Sequence, residues 1–137
     1  RMGDPECQPI TMRMDFNLYD YLTASANGNL SSLPKPSWKK QSAVCVVMAS
    51  KGYPEAYPKG EEIASLDLKQ KDTFVFHAGT KKEGNKILTN GGRVLGVTAL
   101  GDTLSSAISN AYSAAEKIHW QSKYYRKDIG KKGLAFL

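Results

Sequence analysis

Ala43-Val44-Cys45-Val46-Val47-Met48-Ala49 is uniformly apolar and rich in β-branched residues. Such a run reads as a strand covered on both faces, and we take it as the central strand of the chain. Two further strands follow downstream. Thr73-Phe74-Val75-Phe76-His77 is short and aromatic, and Arg93-Val94-Leu95-Gly96-Val97-Thr98-Ala99-Leu100 is the last major one. Between them, Gly79-Thr80-Lys81-Lys82-Glu83-Gly84-Asn85-Lys86 has the composition of a hairpin loop leading into Ile87-Leu88-Thr89, and Asn90-Gly91-Gly92 is a second turn signal. Connections this short predict antiparallel neighbours. A weaker strand is expected near residues 62–65. The loop at 51–60 carries two Tyr-Pro pairs bracketed by glycines, so proline stiffens its backbone and glycine bends it.

Helical spacing appears on either side of these strands. After Gly101, Asp102 or Thr103 can cap a long helix running to about His119, in which Leu104, Ile108, Ala111, Ala115 and Ile118 step by three or four and line one face. That face predicts a helix laid over the sheet. Upstream, Asp15 is the expected cap of a helix over residues 16–26. Leu18, Tyr19, Leu22 and Ala26 form its core-facing side, and Asn27-Gly28 stops it. Residues 29–40, with Ser31, Ser32, Pro34, Pro36 and Ser37, read as the loop between a lead-in and the main domain, with Trp38 tucked back onto the body. The fold class is therefore α+β: a small, mostly antiparallel sheet with one long amphipathic helix, preceded by a helix of a neighbouring domain.

Composition supports one domain plus a lead-in, since 137 residues with 41% apolar content can bury a core. No stretch approaches the roughly 20 apolar residues of a spanning helix, and the N-terminus lacks the build of a signal peptide. A soluble intracellular protein is the default expectation. The two cysteines, Cys7 and Cys45, indicate no disulfide framework; Cys45 reads as a small core residue, and His77 and His119 lie at no recognised metal-ligand spacing. A net charge of +6 raises the question of anionic partners. The lysines are dispersed, with a denser patch at Lys123, Arg126, Lys127, Lys131 and Lys132, which reads as solvated surface and speaks against a nucleic-acid interface.

Two constellations carry chemistry. The chain opens on Arg1-Met2-Gly3-Asp4-Pro5-Glu6-Cys7-Gln8, a charged loop without a preceding element, and this suggests a segment of something longer. Arg1 can clamp a carboxylate or phosphate, and Asp4 or Glu6 can hold an ammonium or support a metal indirectly; an ion-paired turn capping the first helix explains the loop as well. Both explanations stand open. The second constellation forms if the strands ending at His77 and starting at Arg93 are neighbours. His77, Thr80, Lys81, Gly91, Gly92 and Arg93 then converge at one sheet end, with cations, a hydroxyl and glycine amides suited to a phosphate monoester. Spacing alone favours the plainer account of two tight turns with a solvated lysine and arginine, and a satisfied strand-end histidine. The Tyr124-Tyr125-Arg126-Lys127-Asp128-Ile129-Gly130 tail is expected to dock onto the rest of its own chain rather than onto single-stranded nucleic acid. No serine-triad order, nucleophile elbow, Walker loop or Cys-x-x-Cys pair appears, so self-contained catalysis has little support.

Five ordered motifs together resemble one family. They are Arg1 to Gln8; Val46-Val47-Met48-Ala49-Ser50-Lys51-Gly52-Tyr53-Pro54; Phe76-His77-Ala78-Gly79-Thr80; Asn90-Gly91-Gly92-Arg93-Val94-Leu95; and Tyr125-Arg126-Lys127-Asp128-Ile129-Gly130. In order and spacing they resemble the C-terminal part of the phosphoribosylamine-glycine ligases, the glycinamide ribonucleotide synthetases. The resemblance implies a cytoplasmic ATP-grasp enzyme of purine biosynthesis that uses ATP and magnesium to join glycine to 5-phosphoribosylamine, giving glycinamide ribonucleotide, ADP and phosphate. It places the end of the ATP-grasp domain at residues 1–30 and the ligase's C-terminal domain, barrel-sandwich hybrid-like, at 31–137. The metal ligands and nucleotide grip fall upstream of Arg1, so none is implied here.

The resemblance also assigns roles within the chain. Arg1 and Asp4 would lie nearest the reacting glycine and amine. The Lys81 and Arg93 region, with Thr80, Gly91, Gly92 and His77, would hold the 5′-phosphate of the ribosyl substrate, while the segment closes the active site against the upstream domains of its own chain. The chain departs from the pattern at Met2, where Phe or Leu is more usual, at Glu55-Ala56 in the Gly-Tyr-Pro stretch, and at Lys131-Lys132-Gly133. From another class, the alternative is a free-standing, non-catalytic binding module with a basic surface.

Overall fold

The computed structural model describes residues 2–136. Its centre is a four-stranded antiparallel sheet built on two long strands, β1 (Ser42–Ser50) and β5 (Arg93–Gly101), which pair along their length. β2 (Thr73–His77) adds to the free side of β5, and the two-residue β6 (Lys123–Tyr124) to the end of β1, giving the order β2-β5-β1-β6. A separate two-stranded ribbon, β3 (Thr80–Glu83) with β4 (Lys86–Thr89), stands between β2 and β5 in sequence. Much of the expected hairpin loop at 79–86 is thus itself strand, because Gly84, at φ +58, makes the turn in the two residues Gly84-Asn85. The weak strand expected near 62–65 is reduced to isolated bridges from Glu62 to Leu88 and Ala64 to His119.

Alternation along β1 decides what each sheet face carries. Val44, Val46 and Met48 are buried and lie opposite Ala99, Val97 and Leu95 of β5. Helix α3 (Leu104–Lys117) covers this face through Ala107, Ala111, Ala114 and Ala115, all fully buried. Small residues let the helix lie close to the strands. The expected stripe of Leu104, Ile108, Ala111, Ala115 and Ile118 therefore misses the alanines at 107 and 114, while Leu104 and Ile108 are only partly buried at its edge. Thr103 is the cap. Its hydroxyl accepts from the Ser106 amide at 3.1 Å, and the Ser106 hydroxyl accepts from the Thr103 amide at 3.0 Å.

The lead-in differs most from expectation. A helix unforeseen in the sequence, α1 (Cys7–Arg13), packs on the other face of β1 and β5, with Gln8 lying over Gly96. A second helix, α2 (Leu18–Ala26), is capped by the Asn17 side chain rather than by Asp15, which stands too far before the first turn to reach its free amides. It ends at Asn27-Gly28 as expected. Its expected core face is outward, with Tyr19 72% and Leu22 60% exposed, and Ala24 is its buried residue. An aromatic cluster sets that orientation: Phe16 packs edge-on against Tyr21 and Trp38. Trp38 accordingly joins the lead-in, where it bridges to Met14, rather than the sheet body. The short α4 (Lys131–Leu134) closes the chain.

Candidate functional site

His77 and Arg93 do arrive at one end of the sheet, because β2 and β5 are antiparallel neighbours with His77 opposite Leu95. The turn after β2 and the turn before β5 lock together. Gly79 donates to the Arg93 carbonyl at 2.9 Å, and Asn90 donates to the Gly79 carbonyl at 2.7 Å. A Cβ on Gly79 would come within 2.6 Å of Gly91 Cα, so both residues are glycine because two backbones touch there. Gly92 is buried, and a Cβ on it would clash with the Tyr53 ring. Packing thus accounts for these glycines without a ligand. His77 Nδ1 meets the Thr80 hydroxyl at 3.1 Å, and Lys81 pairs with Glu83 on its own strand.

A concave feature lies beside Arg93. It is a slot of about 310 Å³ at the end of β1. Val47 and Ala49 of β1 line it together with Tyr53 and Pro54 of the loop, Tyr124 and Tyr125 near β6, and two guanidinium groups, Arg93 and Arg126. The register of β1 on β5 slips between Met48 and Ala49, a bulge that bends the strand end beside the slot. Of the residues singled out from sequence, Arg93 lines the slot, whereas His77, Thr80, Lys81, Gly91 and Gly92 do not. Arg1 lies outside the described residues.

The two arginines are bound differently. Arg126 gives its fork to Asp128, Nε to Oδ1 at 2.9 Å and Nη2 to Oδ2 at 2.6 Å, and these bonds hold the Asp128 carboxyl below its ordinary pKa. Arg93 forms an ion pair with Asp4 whose shortest approach is from Nε, 3.1 Å from Oδ2. Asp4 in turn accepts from Gln8 Nε2 at 3.1 Å. By sequence alone Arg126 and the tyrosines read as a docking tail; only folding brings them to the same slot as Tyr53. One signal for them was present, since Gly52-Tyr53-Pro54 and Tyr125-Arg126 belong to two of the five motifs.

A single carboxylate joins the slot walls. Glu61 Oε2 accepts from the Ser122 amide at 2.9 Å and the Ser122 hydroxyl at 2.6 Å, while the Glu61 backbone pairs with Thr89. Among the described residues no three His, Cys, Asp or Glu side chains come together to hold a metal ion. The acids around the slot are already engaged, Asp4 with Arg93 and Asp128 with Arg126. The donor set therefore does not suit a divalent cation, and no helix of the described residues is long and apolar enough to cross a membrane.

A small domain of mixed helices and antiparallel strands, with a two-arginine, tyrosine-walled slot at one sheet end, is thus in place. The family model for the C domain of phosphoribosylglycinamide synthetase matches residues 43–132, and the chain belongs to that family. It is 49% identical over 135 residues to a phosphoribosylamine--glycine ligase of Synechocystis, covering 98% of this chain and 32% of that protein. It is 44% identical over 136 residues to the protein of the same name in Rhodopirellula baltica, covering 98% and 31%. The crystal structure of phosphoribosylamine--glycine ligase from Thermotoga maritima superposes with a TM-score of 0.75 at 36% identity, covering 93% of this chain and 31% of that one. The chain spans about a third of the length of these relatives.

Proposed function

We propose that this chain is the C-terminal part of a cytoplasmic, ATP-dependent ligase that joins glycine to 5-phosphoribosylamine to give glycinamide ribonucleotide, ADP and phosphate. The names of relatives matching along nearly the whole chain support the reading. ATP and Mg2+ would be held by preceding domains of the full-length ligase. In this reading residues 1–30 finish the ATP-grasp domain, and 31–137 form a barrel-sandwich hybrid-like domain that closes one side of the active site.

The carrying observation is the slot. Its guanidinium groups suit a phosphate, and its tyrosine and aliphatic walls suit the C–H faces of a sugar ring. Arg93 is the natural phosphate ligand, because among the described residues its terminal amino groups make no hydrogen bond, whereas the Arg126 fork is closed by Asp128. His77, Thr80, Lys81, Gly91 and Gly92 then shape the turn that presents Arg93, and Lys81 can reach the ligand only by leaving Glu83. Arg1 stays at the reacting end in this proposal, whereas Asp4 touches Arg93 and so stands beside the phosphate. No observation favours the free-standing basic module.

Changing Arg93 to Ala in the full-length ligase should weaken ribose 5-phosphate binding by about 1.5–3 kcal/mol, roughly 10- to 150-fold, the worth of hydrogen bonds to a charged group. Calorimetric titration reads this directly. Unchanged affinity would mean that the phosphate lies elsewhere.

A further inference from the structure

Arg93 leaves β5 at its first residue, with a side chain 42% exposed, so nothing in the sheet itself fixes its direction. A long cation in that position samples many rotamers and loses that freedom on binding an anion. Among the described residues its charged partner is Asp4, whose closest approach is to Nε, while the terminal nitrogens make no hydrogen bond. Engagement at Nε leaves the two amino groups for a ligand. At Arg126 the opposite holds, since Nε and Nη2 are both taken.

Asp4 is itself held. Gln8 donates to its second oxygen from one turn further along the chain, and Gln8 packs against the sheet. Its side chain lies over Gly96 of β5, where an added Cβ would sit 3.7 Å from Gln8 Cγ and 3.2 Å from Cys45 Sγ. Reversing the Gln8 amide would turn its oxygen toward the Asp4 carboxylate, so the donor orientation is the stable one. A line of contacts thus runs from the middle of β5, by packing against Gln8 and then through Gln8 and Asp4, to the guanidinium at the slot's edge.

We propose that Asp4, oriented by Gln8, is a positioning residue for phosphate recognition: it holds Arg93 by Nε so that the two terminal amino groups face the slot. This rests on the phosphate role given to Arg93 above. It moves the work of Asp4 from the reacting amine to the far end of the substrate. It also predicts a sign that simple charge does not, for a carboxylate beside a phosphate site would by Coulomb's law alone weaken binding.

The test is calorimetric titration of ribose 5-phosphate into the full-length ligase carrying this chain, with ATP affinity as the measure of intact folding. Asp4→Ala is expected to weaken the sugar phosphate roughly tenfold, about what a freed long side chain costs. Asp4→Asn keeps one oxygen acceptor for Arg93 and turns its amino group toward Gln8, whose amide can reverse to accept it, so binding is expected within about threefold of the parent. Asp4→Ala binding as tightly as the parent or more tightly, or Asp4→Asn no better than Asp4→Ala, overturns the proposal. Should Asp4→Ala lose its fold, Gln8→Leu leaves both charges in place and carries the same expectation of weakened binding; unchanged affinity there is equally fatal. Arg93→Ala separates the two claims. If it has no effect, the phosphate reading fails. If it weakens binding while Asp4→Ala does not, only the positioning role fails.

Discussion

Burial keeps the Cys45 thiol protonated. Cys45 lies under α1 on the half-covered face of the sheet, and the loss of water there raises its pKa; the Thr98 hydroxyl pulls the other way, and the charge of Asp4 adds to the rise. The folded state therefore holds this proton to higher pH than the unfolded chain does. Its contribution to stability is complete below the unfolded thiol value of about 8.5 and is lost as pH rises through the folded value. In a Cys7→Ser variant, the rate of iodoacetamide labelling at Cys45 should reach half its maximum above pH ~8.5. A midpoint at or below that value would show that the thiol is not buried as described. Because Asp4 contributes to the shift, the midpoint should also move down in Asp4→Asn, linking the thiol to the contacts that orient Arg93.

At the scale of elements, the slot exists because two segments distant in sequence are tied to each other. The loop bearing Tyr53 and Pro54 ends at Glu61, and Ser122 stands two residues before Tyr124, so the Glu61 carboxylate fastens one wall to the other. Glu61→Ala strips a half-buried amide and hydroxyl of their acceptor and should cost about 1–3 kcal/mol. Thermal unfolding of the variant measures that cost, and a loss near zero would mean that water replaces the carboxylate freely. Such a tie cannot be read from spacing. The long strands were legible because β-branched runs at 43–49 and 93–100 can be little else, and the long helix because its cap and period agree. α1 was hidden: Pro9 sits inside it, its seven residues carry no long apolar period, and its charged prelude read as loop. Likewise Arg93 was found as a cation at a strand start, whereas Tyr124 and Arg126 acquire meaning only once β6 is paired to β1.

Over the whole molecule, apolar burial is uneven. The core runs from Val44 to Trp120 and closes around α3, while before it Met2, Ile10, Tyr19, Leu22, Leu30 and Trp38 all remain exposed. Sequence reading expected the outer side of α2 to face a core, and its residues are the kind that do. The proposal that residues 1–30 complete an ATP-grasp domain offers a physical reason: preceding sequence would cover that apolar side. The two possibilities differ measurably at Leu22, which is 60% exposed in this chain. As a surface position, Leu22→Lys should change stability by less than about 0.5 kcal/mol. Covered by a preceding domain in the full-length ligase, the same change buries an unpaired ammonium and removes an apolar contact. It should then cost more than about 2 kcal/mol and lower the unfolding midpoint by several degrees. Denaturant unfolding of the full-length protein decides between them. A neutral substitution there would leave the helix facing water and require the end of the ATP-grasp domain to be drawn before Leu18.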